Sequence, residues 1–480
     1  MPVLASLPVD VESTRRLGLL RRSPSFGLLF LATAGSSVGT YVAATALTLD
    51  IQARTNSGVW ISALLVADFL PIVVIGFLLG PLVDRLSRRR LMIGSDLARF
   101  AIFAALPFAD SAGAIVALAA VAGVATGLFR AAALAGLPNL VPDRELTNAN
   151  SLLQTVETLA WMVGPLVGAG IVALWSPSVA YIANSVTFLL SVVLIARIAE
   201  SQLRSADSVT EGHWRDVKQG IRLVLGSAPL RTVLVVWNIV VIGTAATNVP
   251  EVFFAKETLN GGDLGFGAFV AASGLGLAIG SYLAAPSLAK AGLRRHYAGS
   301  ITLMGIGIGG AALSPSIWIA VPFIVGSAAG NGAAIICNQV LVQRGAPDRY
   351  RGRALAFIMS SNYAVLGLAM AAAGVLTDAF GARWVLLAAA VADLVAVLVS
   401  LVMTRWLPAT RGEEEAVLET QAAVASGVLV PAVEGIPAPV TIVNATPDGT
   451  AKDGLERIAV LLEEIETRRE HEARRARTSD

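Results

Sequence analysis

Long apolar stretches with almost no charge, separated by short polar connections, dominate this chain. Of its 480 residues, 15% are charged, whereas soluble globular chains carry about 25% charged residues. Hydrocarbon offers the backbone no hydrogen-bond partners, so a stretch of about 20 apolar residues crosses a bilayer as a helix. The pattern predicts an all-α membrane protein rather than a soluble enzyme.

Twelve stretches have the length and composition of a membrane-spanning helix, and they fall into two sets of six. The first set covers residues 26–52, 57–82, 91–109, 112–133, 146–174 and 178–198. The second set covers residues 231–255, 264–288, 298–313, 316–342, 353–377 and 382–406. The predicted organisation is an N-terminal segment (1–25), a first six-helix half (26–198), a linker (199–230), a second six-helix half (231–407) and a tail (408–480).

The tail is rich in Glu, Ala, Pro and Thr before it becomes helical in pattern over residues 453–477. Leu455, Ile458, Leu462 and Ile465 recur every three or four residues, which predicts a short amphipathic helix. Two interpretations are open for this helix. It is either part of a solvated tail, or it docks on a partner or on a second copy of the chain.

Arginine and lysine residues are concentrated on alternate connections, and basic connections stay on the cytoplasmic side of a membrane. These residues are Arg85, Arg88, Arg89, Arg90, Arg130, Arg144, Arg204, Arg215, Lys218, Arg222, Lys290, Arg294, Arg295, Arg344, Arg349, Arg351 and Arg353. The intervening connections contain little beyond Arg54, Lys256 and Arg383. We therefore expect a multi-pass protein of the bacterial inner or plasma membrane, with both ends cytoplasmic and no nucleic-acid partner.

An internal repeat supports the division into two like halves. Pro142-Asp143-Arg144 reappears as Pro347-Asp348-Arg349, and the same offset of 205 residues relates Arg89-Arg90 to Arg294-Arg295. Two similar halves of six helices are typical of secondary transporters, whose substrate path lies between the halves near the middle of the membrane.

The basic connection after the second predicted span contains Gly80, Asp84, Arg85, Arg88 and Arg89. A carboxylate at a membrane boundary can accept hydrogen bonds from the N-terminus of a neighbouring helix and pair with an arginine. The loop is then a conformational latch that favours one access state. The alternative is that its arginines only enforce topology.

Asp96 and Arg99 are three residues apart, so they are neighbours on one face of the third predicted helix. They either join the charge network of this latch loop or neutralise each other.

The fifth predicted helix carries small and polar residues at a spacing of three and four. Asn150, Gln154, Glu157, Trp161, Gly164 and Gly168 follow this spacing and share one face, which we expect to look into a cavity. Gly164, Pro165 and Gly168 also predict a close helix crossing with a local bend, because small residues let two backbones approach.

These motifs resemble those of the major facilitator superfamily, and within it the drug:proton antiporter branch that includes macrolide-efflux and enterobactin-export proteins. Residues 80–90 are similar to the superfamily's loop motif between helices 2 and 3, with Val83 and Ser87 in place of its alanine and second glycine. Residues 164–170 resemble the helix 5 motif associated with antiporters. The resemblance covers roughly residues 15–407. It implies the major facilitator fold, a latch role for Asp84 and proton-driven export by alternating access.

Ionisable residues inside a span cost about 3 kcal/mol on insertion scales, so they face protein or water. Asp68 and Glu157 are the best candidates for proton coupling, since a carboxyl in the cavity could release and rebind a proton as access alternates. A structural, hydrogen-bonded carboxyl is the competing interpretation. Asp50 lies near the outer boundary, either as an ordinary exposed acid or at the cavity mouth.

Amides and aromatic groups within the spans are candidates for contact with a substrate, although hydrogen bonds between helices explain many such residues in bundles. The candidates are Gln154, Trp161, Asn238, Asn331, Asn338, Asn362 and Tyr363.

Several functional classes lack their motifs in this sequence. There is no Gly-x-x-x-x-Gly-Lys-Ser/Thr loop for ATP, no metal-ligand pattern, and His213, His296 and His471 lie outside the predicted spans. We expect no metal and no cofactor, and a proton gradient as the energy source. The expected function is proton-coupled export of small hydrophobic or amphipathic compounds. The alternatives are export of a siderophore or lipid-like metabolite, import, and a non-transporting scaffold that acts through its tail.

Overall fold

The computed structural model describes residues 18–78, 86–203 and 213–405. Gly80, Asp84, Arg85 and the predicted tail helix at 453–477 lie outside the described residues. Within the described ranges the chain is helical and contains no strand, as the apolar spans predict.

The described residues contain twelve helices of 18 or more residues, six before and six after the linker. The first six are α1 (Pro24–Thr55), α2 (Gly58–Leu78), α3 (Arg88–Ala105), α4 (Ala112–Gly136), α5 (Leu146–Leu174) and α6 (Pro177–Ala196). The second six are α7 (Ala228–Asn248), α8 (Gly262–Ala291), α9 (Leu293–Leu313), α10 (Ile317–Gly345), α11 (Asp348–Phe380) and α12 (Ala382–Thr404). Ten helices are long and apolar enough to cross a membrane, and α2 contributes a shorter apolar segment, Gly58–Val74.

Helical structure also occurs outside the twelve long helices. Residues 213–226, read as part of a polar linker, form a helix whose Gly220 packs against the backbone carbonyl of Arg353 at the start of α11. After α7 the chain continues through a short helix, Glu251–Phe253, and a π-helical turn, Phe254–Thr258. A regular hydropathy pattern does not identify such short or amphipathic segments.

Some residues that the sequence predicts in connections lie inside helices. Arg130, counted among the basic connections, is inside α4, and His296, expected in a connection, is in the first turn of α9. Both errors have one cause: a charged residue near the end of a span lowers the local hydropathy and resembles a loop, although the helix continues past it.

The bundle has two ends, which we name by their connections. The basic end carries the connections around Arg88, Arg144, Arg294 and Arg351, and the opposite end carries those around Asn56, Ser111, Ser176, Ser314 and Gly381. At the opposite end, Asn56 has φ 44° and Gly381 has φ 84°, so each ends a helix and reverses the chain within one or two residues.

Buried apolar side chains pack differently at the two ends. At the opposite end, side chains from both halves form one shared core, which includes Leu47, Ile61 and Phe188 from the first half and Phe254 and Phe269 from the second. At the basic end, the described residues form one core in the first half and another in the second half, and the second one also contains Trp161 of the first half. The two halves therefore share a large core at the opposite end, whereas at the basic end the first half contributes Trp161 to the core of the second half and packs Tyr41 against it.

Three helix pairs join the halves at the opposite end. A Cβ on Gly58 of α2 would lie 2.7 Å from the carbonyl oxygen of Gly374 in α11, and one on Gly267 of α8 would lie 2.9 Å from the carbonyl oxygen of Pro165 in α5. At the end of α1, Gln52 Nε2 donates to Glu257 Oε1 at 2.8 Å. Small residues thus allow backbone contact between the halves.

Candidate functional site

A cavity of about 150 Å³ lies in the first half between α1, α4 and α5, in the part of each helix nearer the basic end. Its polar lining residues are Thr33, Ser36, Ser37, Thr40, Tyr41, Arg99, Thr126, Arg130, Asn150, Gln154 and Glu157. Its apolar lining residues are Leu29, Phe129, Ala133, Leu134 and Leu153. A combination of apolar surface and converging polar groups is typical of small-molecule sites.

An ion pair between Arg130 and Glu157 stands in the wall of this cavity. Arg130 Nη2 on α4 donates to Glu157 Oε2 on α5 at 2.9 Å. The two side chains are 21% and 22% exposed, so the pair is partly shielded from water but open to the cavity. The sequence predicts Glu157 as a proton-coupling candidate and Arg130 as a topology signal, and the distance between their side chains shows that they are partners.

Further ionisable groups surround this pair. Tyr41 of α1 lies within electrostatic reach of Glu157, Arg130 and Asp68. Tyr363 of α11, in the second half, lies within electrostatic reach of Arg130. The pair therefore lies where residues of both halves converge, and Asp68 of α2, which is exposed, belongs to the same neighbourhood.

Hydroxyl groups of α1 that line the cavity donate their protons to backbone carbonyls of the same helix. Ser36 Oγ donates to the Thr33 carbonyl at 3.2 Å, and Thr40 Oγ1 donates to the Ser36 carbonyl at 2.7 Å. Their lone pairs remain available as acceptors. On α5, Gln154 Nε2 is buried and has no hydrogen-bond partner among the described residues. The cavity thus offers acceptors to a bound molecule and lies beside a buried donor that has no partner among the described residues.

Small residues set the position of Glu157 by bringing α5 against α1. A Cβ on Gly164 would lie 2.5 Å from the Tyr41 Cβ, and a Cβ on Gly168 would lie 2.5 Å from the Val42 carbonyl oxygen. Pro165 lies between them in the helix. The motif Gly164, Pro165 and Gly168 thus lies at a close helix crossing, which begins about two turns after Glu157 along α5.

The side chain of Trp161, on α5, packs against the second half. It is 7% exposed, packs with the second half's basic-end core, and its ring lies against Gly274 of α8. It is not among the residues that line the cavity.

Asp96 and Arg99 form a buried ion pair with each other. Arg99 Nη2 donates to Asp96 Oδ1, and Ser191 Oγ of α6 donates to Asp96 Oδ2 at 2.6 Å. The Arg99 guanidinium also lies over the rings of Phe129 and Phe188, 4.5 and 4.3 Å from their centroids. Of the two roles predicted for this pair, the described contacts are those of mutual neutralisation inside the first half.

Ser87 and the first residues of α3 contact the end of α6 and the segment that follows it. Arg89 Nη2 donates to the Ala196 carbonyl, and Arg90 Nε lies 3.4 Å from Glu200 Oε1. Ser87 Oγ also donates to Glu200 Oε1, at 2.8 Å. Glu200 was not singled out in the sequence, and it joins the beginning of the linker to the N-terminus of α3.

Asp50 is not the exposed acid that its position near the outer boundary suggested. It is 7% exposed, accepts from Arg54 Nε at 2.7 Å, and accepts from Tyr181 Oη of α6 at 2.9 Å. Arg54 Nη1 in turn donates to the Ala109 carbonyl at 3.2 Å. Asp50 therefore connects α1, α6 and the connection between α3 and α4, away from the cavity.

The remaining amide candidates lie in the second half, away from the cavity. Asn238 Nδ2 donates to the Leu234 carbonyl at 2.7 Å and to Ser361 Oγ of α11 at 3.1 Å. Tyr297 Oη donates to Asn338 Oδ1 at 2.7 Å, while Asn331 and Asn362 are buried. Asn238 and Asn338 each make a hydrogen bond between helices, which is the alternative that the sequence left open.

This architecture belongs to a known protein family. The family model for the Major Facilitator Superfamily matches residues 29–254 and again residues 242–444. The chain belongs to the major facilitator superfamily. The fold class predicted from the sequence is thereby confirmed, and this family member is a multi-pass membrane transporter.

Relatives in this superfamily include efflux proteins. The multidrug efflux pump Tap of Mycolicibacterium fortuitum is 26% identical over 407 residues, covering 80% of this chain and 97% of Tap. The uncharacterized MFS-type transporter YfiS of Bacillus subtilis is 25% identical over 374 residues, covering 76% and 89% of the two chains. Macrolide efflux protein A of Streptococcus pyogenes is 22% identical over 252 residues, covering 49% and 60%. These relatives agree with the branch of the superfamily that the sequence motifs resemble.

Solved structures share the fold at low sequence identity. A bacterial homolog of the human lysosomal transporter Spinster, in an inward-facing and unoccupied conformation, superimposes with a TM-score of 0.66 at 13% identity, covering 83% of this chain and 98% of that chain. A bacterial homologue of the iron transporter ferroportin, in an inward-facing state, gives a TM-score of 0.64 at 16% identity, covering 79% and 98%.

Proposed function

We propose that this major facilitator protein is a proton-coupled exporter of small hydrophobic or amphipathic compounds. The observation that carries the proposal is the ion pair between Arg130 and Glu157 in the wall of the cavity. Relatives named as multidrug and macrolide efflux proteins support export and a drug-like substrate class. Alternating access between the two sides of the membrane is the transport mode of paired six-helix halves.

The basic end faces the cytoplasm in this proposal, because connections rich in arginine and lysine remain there. The structure then represents a state that is closed toward the outside, with the halves joined at the opposite end. The two solved structures with this fold described above are both inward-facing. In this state an exporter would load its substrate from the cytoplasm or the inner leaflet.

The ion pair explains how a proton and a substrate could exclude each other. While Glu157 is ionised, it neutralises Arg130 and accepts its hydrogen bond. Protonation of Glu157 removes its charge and leaves the Arg130 cation unpaired in the cavity, which repels a cationic substrate. Asp68, which lies within electrostatic reach of Tyr41, is a second carboxyl candidate for this exchange.

The lining of the cavity suits an amphipathic molecule. Leu153, Leu134 and Phe129 offer apolar contact, while Thr40 and Ser36 offer hydrogen-bond acceptors. Few of these groups impose a unique geometry on a ligand, and such surfaces are typical of broad specificity.

The decisive experiment uses the purified protein in liposomes with an imposed pH gradient, assayed against dyes, macrolides and siderophores. We expect gradient-dependent flux of a dye or a macrolide, and loss of that flux in Glu157→Gln. Asp143→Asn is the matched control, because Asp143 is an exposed acid of the same half and lies outside the cavity. Undiminished exchange in both Glu157→Gln and Asp68→Asn would remove these carboxyls from the mechanism.

The same assay distinguishes the alternatives. Flux restricted to siderophores would favour a metabolite exporter, and flux that ignores the pH gradient would contradict proton coupling. Loss of cellular function on removal of residues 409–480, with vesicle flux intact, would favour a scaffold that acts through its tail.

A further inference from the structure

The carboxylate of Asp378 connects the two halves at the opposite end of the bundle. Asp378 lies in α11, in the second half, and accepts hydrogen bonds from the N-terminus of α2, in the first half. Ser57 Oγ donates to Asp378 Oδ2 at 2.7 Å, the Gly58 amide donates to Oδ1, and the Val59 amide lies 3.3 Å from Oδ2. The first amides of a helix have no partners within it, so a carboxylate from the other half satisfies them.

Asp378 occupies an unfavourable position in its own helix. Helix α11 ends at Phe380, and the C-terminus of a helix carries a partial negative charge that repels a carboxylate. The N-terminus of α2 carries the opposite partial charge and attracts it. The charge of Asp378 is therefore stabilised by the first half and not by the helix that contains it.

The surrounding contacts bring the two helices within reach of this interaction. A Cβ on Gly374 of α11 would lie 2.6 Å from the Gly58 carbonyl oxygen and 2.2 Å from Ser62 Oγ, so only a glycine fits there. One turn along α2, Ser62 Oγ donates to the Met370 carbonyl at 2.7 Å. Helices α2 and α11 come this close only while the halves are joined at this end.

We propose that Asp378 is a positioning residue that stabilises closure of the opposite end by capping α2. When the halves separate there, Asp378 leaves and the N-terminus of α2 loses this cap. Asp378 therefore favours the closed state by about the free energy of one helix cap. This inference concerns closure of the bundle and requires neither proton coupling nor a particular substrate.

The test measures the distance across the opposite end by pulsed electron paramagnetic resonance of spin labels at Phe108→Cys and Leu313→Cys. These side chains are 81% and 68% exposed and lie in different halves, while the native Cys337 is fully buried and stays unlabelled. We expect Asp378→Ala to raise the ratio of the long-distance to the short-distance population about fivefold, the worth of one helix cap. Asp263→Asn is the control, since Asp263 pairs with Lys256 inside the second half at the same end.

A distance distribution in Asp378→Ala that matches the parent protein would overturn the proposal. So would an equal shift in Asp263→Asn, because the effect would then follow from any lost carboxylate at this end. If Asp378→Ala does not fold, Asp378→Asn replaces it, since the amide retains one acceptor oxygen and loses the charge. The measurement needs no substrate and no pH gradient, so its result is separate from the outcome of the transport assay.

Discussion

Arg130 and Glu157, on adjacent helices of the first half, form an ion pair that opens onto the cavity at a distance of 2.9 Å. Both residues sit in segments apolar enough to cross a membrane. A charge placed there is costly unless it has a partner, so the two side chains stabilise each other, and a change in either alters both.

Replacing one member of this pair should cost more stability than replacing both. We predict that Arg130→Gln and Glu157→Gln each lower the free energy of unfolding by about 1–2 kcal/mol, between the values of exposed and buried pairs. The double variant should recover most of this loss but remain unable to couple transport to protons. Thermal unfolding in detergent and vesicle flux measure the two effects. A double variant as unstable as the singles would contradict the pairing.

The crossing of α1 and α5 should not tolerate a side chain at Gly168. A Cβ there would lie 2.5 Å from the Val42 carbonyl oxygen, so we predict that Gly168→Ala lowers stability by about 1–3 kcal/mol. Gly170→Ala is the matched control, because its Cβ would meet only Leu264 at 3.9 Å, and it should stay within about 0.5 kcal/mol of the parent. Equal unfolding temperatures for the two variants would contradict this account of the crossing.

Neutralising Asp96 should be among the most damaging single changes in the first half. Asp96→Asn leaves the buried Arg99 without a counter-charge, which costs about 3–5 kcal/mol. Ser191→Ala removes one hydrogen bond to the same carboxylate and should cost about 1–3 kcal/mol. Thermal unfolding of the purified variants compares them. A loss in Asp96→Asn no larger than in Ser191→Ala would show that the pair contributes little.

Asp50 should affect stability and leave coupling intact. Because its carboxylate binds Arg54 and Tyr181 away from the cavity, we predict that Asp50→Asn lowers the unfolding temperature. The dependence of residual flux on the pH gradient should match that of the parent protein. A flux that no longer responds to the gradient would return Asp50 to the proton-coupling candidates.

Orientation is testable with single-cysteine variants and a membrane-impermeant maleimide. We predict that Phe108→Cys is labelled in intact cells and that Arg90→Cys is labelled only after permeabilisation. Both parent side chains are well exposed, 81% for Phe108 and 80% for Arg90, so access to the reagent depends on the side of the membrane. Labelling of Arg90→Cys in intact cells would reverse the topology and with it the proposed direction of transport.

Hydropathy along the chain was sufficient to locate the helices of this protein. The predicted span 146–174 coincides with α5, and 26–52 differs from α1 by two or three residues at each end. Bilayer insertion depends on the local composition of each segment, and local composition is legible in a linear sequence. The small residues of α5 could also be interpreted from the sequence. Gly164 and Gly168 predict a close helix crossing but do not identify the helix that α5 crosses.

The sequence did not predict which residues contact each other. Arg130 and Glu157 are 27 residues apart, Tyr181 and Asp50 are 131 apart, and Gly58 and Asp378 are 320 apart. The rotation of each helix about its axis decides which neighbours an acidic side chain has. Glu157 faces a cavity, whereas Asp50 contacts a buried tyrosine. That rotation follows from the packing of small residues against neighbouring helices, an interaction between distant segments that local composition does not encode.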